Sequence, residues 1–168
     1  MKDEIWVRLS AMKDAGALME IDALVWTEMT TPAKIHWRSR EQFLQSCPPG
    51  SQLVAGIGEA ICGYVGFGAP TGLPSNAHVY DINIAVHPDH QHKGIGRRLI
   101  EEIKYLAKLE GKRKLSLRVL ETNGPAIAFY KSCGFVEQGR LVEEFYIGGR
   151  YVDDILMWCP VETGGDRS

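Results

Sequence analysis

The sequence predicts an α/β (α+β) protein in which about four helices flank one mixed sheet of about seven strands. Short runs rich in β-branched residues alternate with segments whose apolar residues recur at helical spacing, and Gly, Pro and Asn mark the turns between them. The resulting order is β-α-α-β-β-β-α-β-α-β-β. The length of 168 residues suits one domain. We therefore expect a single domain over residues 1–160, followed by a flexible tail over 161–168.

The first half begins with a strand and two helices. Strand-forming residues occupy 5–8, and apolar positions at helical spacing predict a helix over 12–28. Ser39, with Gln42 three residues later, has the pattern of a helix start, and Pro48-Pro49-Gly50 ends that second helix. A hairpin follows, with strands over 53–55 and 61–67 joined by a Gly-rich turn at 56–59.

The second half begins with a long central strand over 78–87, in which apolar residues alternate. A one-sided apolar pattern then predicts a helix over 94–110, and a strand follows over 115–119. Asn123 is the expected N-cap of another helix, with Gly134 as its stop. The remaining expected elements are final strands over 135–145 and 151–158, joined by a turn at Gly148-Gly149.

Net charge, hydropathy and cysteine spacing limit the expected partners, location and cross-links. The net charge of -2 gives no overall attraction to nucleic acid or an anionic membrane, so we expect neither as a partner. The first residues lack the apolar run of a signal peptide, and no stretch has the length of a transmembrane helix, which predicts a cytoplasmic protein. The 4 cysteines are widely spaced and form no CxxC pair, so we expect reduced thiols.

The segment over 86–98 carries the chemistry. It runs from the end of a strand through a short loop into a helix opened by Gly94 and Gly96. Backbone N–H groups at a helix start lack intrahelical acceptors, and glycines let a phosphate approach them closely. Lys93, Arg97 and Arg98 add positive charge. The segment therefore predicts a pyrophosphate site, although it matches neither a P-loop nor a Rossmann fingerprint.

Two motifs carry a resemblance to a known family. The string Gln91-His92-Lys93-Gly94-Ile95-Gly96 resembles the Q/R-x-x-G-x-G/A acyl-CoA motif of the GNAT N-acyltransferase superfamily. The segment from Asn123 to Phe135 resembles that family's N-x-x-A-x-x-F/L-Y-x-x-x-G-F pattern. Residues 79–158 carry the specific match, whereas residues 1–70 agree only in the order of their elements.

The resemblance implies a GNAT fold and an N-acetyltransferase that uses acetyl-CoA as co-substrate. It places the pantetheine arm and the acetyl carbonyl on the backbone around Ile84, Ala85 and Val86. It also assigns Asn123 and Ala126 to the CoA arm, and Tyr130 to contact with CoA and protonation of the departing thiolate. The residues that it assigns to the pyrophosphate are Gln91, His92, Lys93, Gly94, Ile95, Gly96 and Arg97.

Each of these residues also has a purely structural interpretation. The glycines could only form a tight turn, Asn123 could only cap its helix, and Tyr130 could be a core aromatic residue. The histidines His87, His90 and His92 crowd one loop, but no carboxylate or thiolate stands in an obvious position to complete a zinc site. We therefore expect no metal.

Direct acyl transfer needs a neutral amine, a hydrogen-bond donor for the carbonyl oxygen and a proton for the thiolate. A backbone N–H near Ala85 is the expected oxygen donor. Asp81 is the candidate base, because it lies on the central strand where phosphinothricin-type acetyltransferases carry a glutamate. It could instead be a structural carboxylate, and an α-amine could lose its proton to water.

The resemblance implies that residues 28–37 and 143–152 frame the acceptor amine. The residues Trp37, Glu143, Glu144 and Tyr146 could line an acidic, aromatic pocket there, or could be solvated. The run over 145–158 resembles phosphinothricin-type and amino-acid-directed members, which favours a small polar amine as substrate.

Two other functions stay open. The region around Asn123 is also similar to ribosomal-protein alanine acetyltransferases, which act on a protein α-amine. A non-catalytic CoA sensor would keep the phosphate loop without needing an acid at Tyr130. Many members form dimers, so a homodimer is a further open expectation.

Overall fold

Seven strands form one mixed sheet in the order β1-β2-β3-β4-β5-β7-β6, which confirms the predicted fold class. The structure is a computed structural model that describes residues 4–162. The strands are β1 (Ile5–Leu9), β2 (Gln52–Ile57), β3 (Ala60–Gly68), β4 (Val79–Val86), β5 (Lys114–Leu120), β6 (Val136–Ile147) and β7 (Arg150–Pro160). The helices are α1 (Ala15–Val25), α2 (Arg40–Ser46), α3 (Ile95–Leu109) and α4 (Gly124–Ser132).

The chain divides into two compact units, and the first comprises the residues up to Thr27 together with 35–67 and 83–103. Its strands β1, β2 and β3 pair antiparallel. The core of this unit is formed by apolar side chains of α1 and α2 packed with those of the sheet, namely Ala15, Leu18, Ile21, Phe43, Val54, Tyr64 and Ala85. Burial of this apolar surface is the main stabilising term for the unit.

Helix α1 is shorter than the sequence predicts. Residues 12–14 form a 3₁₀ turn, and the α-helix covers only Ala15–Val25. The carboxylate of Asp14 accepts the Ala11 N–H at 2.7 Å, which fixes the tighter turn. The predicted start of α2 is confirmed, because the Ser39 side chain accepts the Gln42 N–H at 3.1 Å.

Among the described residues, the second unit comprises 28–34, 68–82 and 104–162. Strands β4 and β5 pair in parallel from Val79↔Lys114 to Asp81↔Ser116, and β5 pairs antiparallel with β7. This strand-helix-strand arrangement agrees with the parallel pairing that the element order predicts.

The final hairpin contains a bulge that sequence patterning does not reveal. The pairing of β6 with β7 shifts between Leu141↔Asp154 and Phe145↔Val152, so three residues of β6 lie opposite Asp153 alone. Glu143, in the middle of the bulge, has a φ of 50°. The Asp153 carboxylate stabilises the bulge by accepting the Glu143 N–H at 2.8 Å.

The single domain over 1–160 stays a prediction. Val161 is buried, and its N–H donates to the Arg113 carbonyl at 2.9 Å, so ordered structure continues past Pro160. The rest of the predicted tail, 163–168, lies outside the described residues. Among the described helices, none is long and apolar enough to cross a membrane. The four cysteines are unpaired in the structure, and Cys62, Cys133 and Cys159 are buried.

Candidate active site

The loop after β4 has a defined conformation. The His87 N–H donates to the Cys62 carbonyl at 2.7 Å, which holds the end of β4. Residues Pro88–His90 form a 3₁₀ turn in which the His87 Nδ1 accepts the Asp89 N–H at 3.1 Å. The carbonyl of His87 also accepts the His90 N–H at 2.9 Å, so local hydrogen bonds close this turn.

The start of α3 has the geometry of an anion site. Gly94 has a φ of 86°, a conformation that glycine adopts without strain, and His92 has a φ of 63°. The first helical hydrogen bond runs from the Arg98 N–H to the Gly94 carbonyl at 3.0 Å. The N–H groups of Ile95 and Gly96 lie in the first turn, where a helix supplies no acceptor, and can bind phosphate oxygens. Ile95 is buried and anchors the helix start, whereas Gly94 is exposed.

The positive side chains around the loop differ in their surroundings. Lys93 is exposed, and its Nζ lies 3.3 Å from the His90 Nδ1. Partial burial, followed by the charges of Lys93 and His87, lowers the pKa of His90. Arg98 corrects the sequence interpretation, because its guanidinium pairs with Glu102 at 3.0 Å and donates to the Ile5 carbonyl at 3.3 Å. It therefore stabilises α3 and β1 instead of adding an unpaired charge to the loop.

The backbone of β4 before the loop is closely packed. Ile84 and Ala85 are buried, and Val86 is half-buried. A Cβ placed on Gly63 of β3 would lie 2.8 Å from the Ala85 carbonyl oxygen, so only glycine permits this approach. Strand β4, to which the resemblance assigns the acetyl carbonyl, therefore lies directly against the backbone of β3 at Gly63.

In the second unit, Asn123 caps α4. Its Oδ1 accepts the Ala126 N–H at 3.4 Å, and its backbone carbonyl accepts the Ile127 N–H at 3.1 Å. Both Asn123 and Ala126 are half-buried. The predicted capping role is confirmed, and contact with the CoA arm stays a prediction.

Tyr130 lies in an aromatic environment. Tyr130 is 7% exposed, and the centroid of its ring lies 5.6 Å from that of Phe129 and 5.7 Å from that of Phe135. Burial, with a smaller contribution from Cys133, raises the pKa of Tyr130 well above its ordinary value. The phenol therefore stays protonated at neutral pH and can act as a hydrogen-bond donor.

Asp81 is an exposed residue of β4. Loss of water around its carboxyl group raises its pKa, and this is partly offset by the Ser116 hydroxyl and by the charge of Arg118. Ser116 donates to the Asp81 Oδ1 at 3.3 Å. Sequence reasoning missed Ser116, since nothing in the local pattern indicates the register that pairs it with Asp81.

The residues named for the acceptor pocket lie on different elements. Tyr146 and Tyr151 stack on the final hairpin with ring centroids 5.0 Å apart, and both are exposed. Trp37 lies in the first unit, where its indole N–H donates to the Asp22 Oδ2 at 2.8 Å. Sequence reasoning missed Asp22, a buried side chain whose partner Tyr64 lies 42 residues away in the chain.

The three loop histidines do not form a metal centre with their neighbours. Within residues 4–162, no group of three or more His, Cys, Asp or Glu side chains is placed to hold a metal ion. The rings of His87 and His90 meet edge to face with centroids 5.6 Å apart.

Comparison with known proteins identifies a family. Residues 18–135 match the family model described as "Acetyltransferase (GNAT) family". The fold is similar to that of smu.2055 from Streptococcus mutans, with a TM-score of 0.86, 29% identity and coverage of 94% of this chain and 99% of that one. It is also similar to a phosphinothricin acetyltransferase from Sinorhizobium meliloti solved with AcCoA, with a TM-score of 0.82, 22% identity and coverage of 98% and 91%.

Curated relatives differ in how much they share with this chain. An L-amino acid N-acyltransferase, MnaT, of Escherichia coli K12 is 27% identical over 90% of this chain and 91% of its own length. A spermidine N(1)-acetyltransferase of Vibrio cholerae is 43% identical, but over 44% of this chain and 43% of its own length. An Escherichia coli bS18-alanine N-acetyltransferase is 46% identical over 47% of this chain and 53% of its own length. The chain thus matches about half or less of the last two relatives.

Proposed function

The chain belongs to the GNAT acetyltransferase family, whose members use acetyl-CoA, and we propose that it transfers the acetyl group to the primary amine of a small, amino-acid-like molecule. One observation carries this proposal. The loop that opens α3 with Gly94 belongs to a chain that is similar over nine-tenths of its length to an L-amino acid N-acyltransferase.

The loop from Gln91 to Arg97 would hold the pyrophosphate of acetyl-CoA. Its fit rests on the donors present: N–H groups at the start of α3, the left-handed turn at Gly94 and the exposed Lys93. The backbone of Ile84, Ala85 and Val86 would hold the pantetheine arm, with Asn123 and Ala126 as further contacts. The bound co-substrate supplies a reactive thioester.

Residues of this chain would then promote one reaction, the substitution of sulfur by nitrogen at the carbonyl carbon. The neutral amine forms the C–N bond, the C–S bond breaks, and the sulfur leaves as the thiolate, which then takes a proton from solvent. The Ala85 N–H would donate to the carbonyl oxygen, and Tyr130 would donate to the sulfur. The amine proton would go to Asp81, directly or through a water molecule.

The acceptor class follows from chemistry and from full-length similarity. An α-amino group near pKa 8 loses its proton at pH 7 at a cost of about 1.4 kcal/mol, against about 4.6 kcal/mol for an alkylamine near 10.4. A weak base such as Asp81 therefore suits an α-amine best.

The cytoplasmic location stays a prediction.

A protein α-amine is the second candidate acceptor. The bS18-alanine N-acetyltransferase has the higher percentage identity, but over about half of each chain. We favour an amino-acid acceptor because the L-amino acid N-acyltransferase MnaT matches 90% of this chain.

Titration calorimetry with acetyl-CoA, followed by a thiol-release assay with amines, tests this function. The panel contains L-amino acids, amino-acid sulfoximines, spermidine and a peptide that begins with alanine. We expect acetyl-CoA to bind and thiol to be released with amino acids. Release with the peptide alone would favour the protein substrate, binding without any release would favour a sensor, and no binding would refute the assignment of the loop.

A further inference from the structure

The first unit contains a buried carboxylate that the proposed reaction does not use. Asp22 of α1 is 2% exposed. Its Oδ2 accepts the Trp37 indole N–H at 2.8 Å, and its Oδ1 accepts the Trp26 indole N–H at 3.1 Å and the Tyr64 hydroxyl at 2.5 Å. We call these four residues the Asp22 cluster.

The hydrogen-bond donors to Asp22 are two indole N–H groups and one phenol hydroxyl. Within residues 4–162, no Lys, Arg or His forms an ion pair with Asp22. A buried carboxylate is unfavourable unless hydrogen bonds satisfy it, so all three donors matter. The Trp26 indole N–H also lies 3.0 Å from the Tyr64 oxygen, which links the donors to one another. Such a closed network fixes the orientation of each ring.

Two of the donors bracket one irregular segment. Trp26 is the C-cap of α1, and Trp37 lies just before Ser39, the N-cap of α2. The residues between them, 27–36, contain turns and bends but no helix or strand. We call this segment the α1–α2 connector. Both of its ends are therefore held by the same carboxylate.

Other contacts fix the ends of the connector without replacing Asp22. The Trp37 ring packs edge-on against Phe43, with centroids 5.2 Å apart. The Arg38 N–H donates to the Gln42 side chain at 2.7 Å, which completes the start of α2. Within the connector, the Met29 carbonyl accepts the Thr122 hydroxyl at 3.1 Å, and Thr122 precedes Asn123 in the chain.

We propose that Asp22 is a positioning residue that sets the conformation of the α1–α2 connector and thereby the affinity for the acceptor amine. The inference rests on the proposed function and on the resemblance to the GNAT family, which implies that residues 28–37 frame the acceptor amine. Asp22 itself would not touch substrate or acetyl-CoA. It would act through the two indoles at the ends of the connector.

The test compares Asp22→Asn with Asp14→Asn. Asparagine has the shape of aspartate, but an NH2 group replaces one of the two acceptor oxygens. At least one donor of the cluster would then face another donor instead of an acceptor. Asp14 is a matched control, because it is also a buried carboxylate of the first unit but is bound by Arg8 and the Ala11 N–H. We expect Asp22→Asn to raise the KM for the amine by about tenfold or more and to leave the Kd for acetyl-CoA within about twofold. We expect Asp14→Asn to lower Tm without changing the amine KM.

Hydrogen exchange measured by mass spectrometry gives a readout that does not depend on activity. Asp22→Asn should speed exchange at residues 27–36, while Asp14→Asn should not. Trp37→Phe, which retains an aromatic ring but removes one donor, should show the same effects if Asp22→Asn does not fold. A wild-type amine KM and unchanged exchange in the folded variant would overturn the proposal. Faster exchange in a protein that acetylates no amine would refute the proposed function while supporting the positioning role.

Discussion

Tyr130 is a phenol whose surroundings keep it protonated. Proton transfer from an ordinary phenol of pKa about 10 to a thiolate of pKa about 8.5 is uphill by about 2 kcal/mol, and burial of Tyr130 increases that gap. Its proposed contribution is therefore a hydrogen bond to the developing thiolate, with full proton transfer left to solvent or buffer. A hydrogen bond of this kind still lowers the barrier, since it is strongest where charge develops.

Replacement of Tyr130 by Phe should lower kcat by about tenfold or more and leave the Kd for acetyl-CoA within about twofold. The ring is retained, so packing against Phe129 and Phe135 should persist. Steady-state kinetics and calorimetry measure the two effects. Tyr105→Phe is the control, because Tyr105 is exposed on α3. Equal turnover of both variants and the wild-type enzyme would remove Tyr130 from the mechanism.

Asp81 should govern the acidic limb of the pH profile. A base acts in its deprotonated form, so kcat/KM should fall as the pH drops through the raised pKa of Asp81. Asp81→Asn should abolish that limb and lower the rate at neutral pH.

Ser116→Ala provides the matched variant for Asp81. The hydrogen bond from Ser116 lowers the pKa of Asp81, so its removal should move the acidic limb to higher pH. A profile that is identical in the wild type and both variants would instead mean that water accepts the amine proton and that Asp81 is structural.

At the scale of elements, the start of α3 depends on one backbone conformation. Gly94→Ala places a Cβ on a residue with a φ of 86°, where strain of about 1–2 kcal/mol is expected. If the loop relaxes, the Kd for acetyl-CoA should rise by about 5- to 30-fold. Calorimetry measures this change.

Gly111→Ala is the control for that strain. Gly111 follows the other end of α3 and has a φ of 72°. Its substitution should lower Tm but leave acetyl-CoA affinity unchanged. A loss of affinity in both variants would show that α3 as a whole, and not the loop geometry, limits binding.

The junction of β1 and α1 depends on an ion pair. Arg8 and Asp14 form two hydrogen bonds of 2.7 and 2.8 Å, and the bond from Arg8 is the largest factor that lowers the pKa of Asp14. Arg8→Met should destabilise the fold at pH 7 by about 2 kcal/mol, a value discounted because Arg8 is partly exposed.

The effect of Arg8→Met should depend on pH with a defined sign. A carboxyl whose pKa is lowered in the folded state adds stability above its unfolded pKa, and this stability is lost as pH falls through the folded pKa. The difference between the wild type and Arg8→Met should therefore shrink below about pH 4. Urea unfolding at several pH values measures this difference, with Lys108→Met as the control. A difference in the free energy of unfolding that stays constant across these pH values would contradict the prediction.

Local signals explain which features the sequence predicts well. The caps at Ser39 and Asn123 and the left-handed Gly94 were predictable, because short-range hydrogen bonds and backbone sterics determine them. The Asp22 cluster was not, since its partner Tyr64 lies 42 residues away in the chain. The bulge at Glu143 was also missed, because neither Gly nor Pro marks it and Asp153 of the next strand stabilises it.

At the scale of the whole molecule, the sequence predicts the fold and the family, whereas the acceptor depends on long-range contacts. The element order and the two motifs predict the sheet and the use of acetyl-CoA, and the family match confirms the resemblance. The acceptor depends on side chains of the α1–α2 connector and the final hairpin. Sequence spacing does not determine how such segments are placed, because their conformation depends on long-range contacts such as those of Asp22.

A competition experiment tests both the proposed reaction and the proposed acceptor. The protein is incubated with acetyl-CoA and an equimolar mixture of L-amino acids, spermidine and an alanine-initiated peptide, and the products are identified by mass spectrometry. We expect N-acetylated amino acids to form first and Tyr130→Phe to slow their formation. Acetylation of the peptide or spermidine in preference to every amino acid would contradict the proposed acceptor, and the absence of any acetylated product would contradict the proposed reaction.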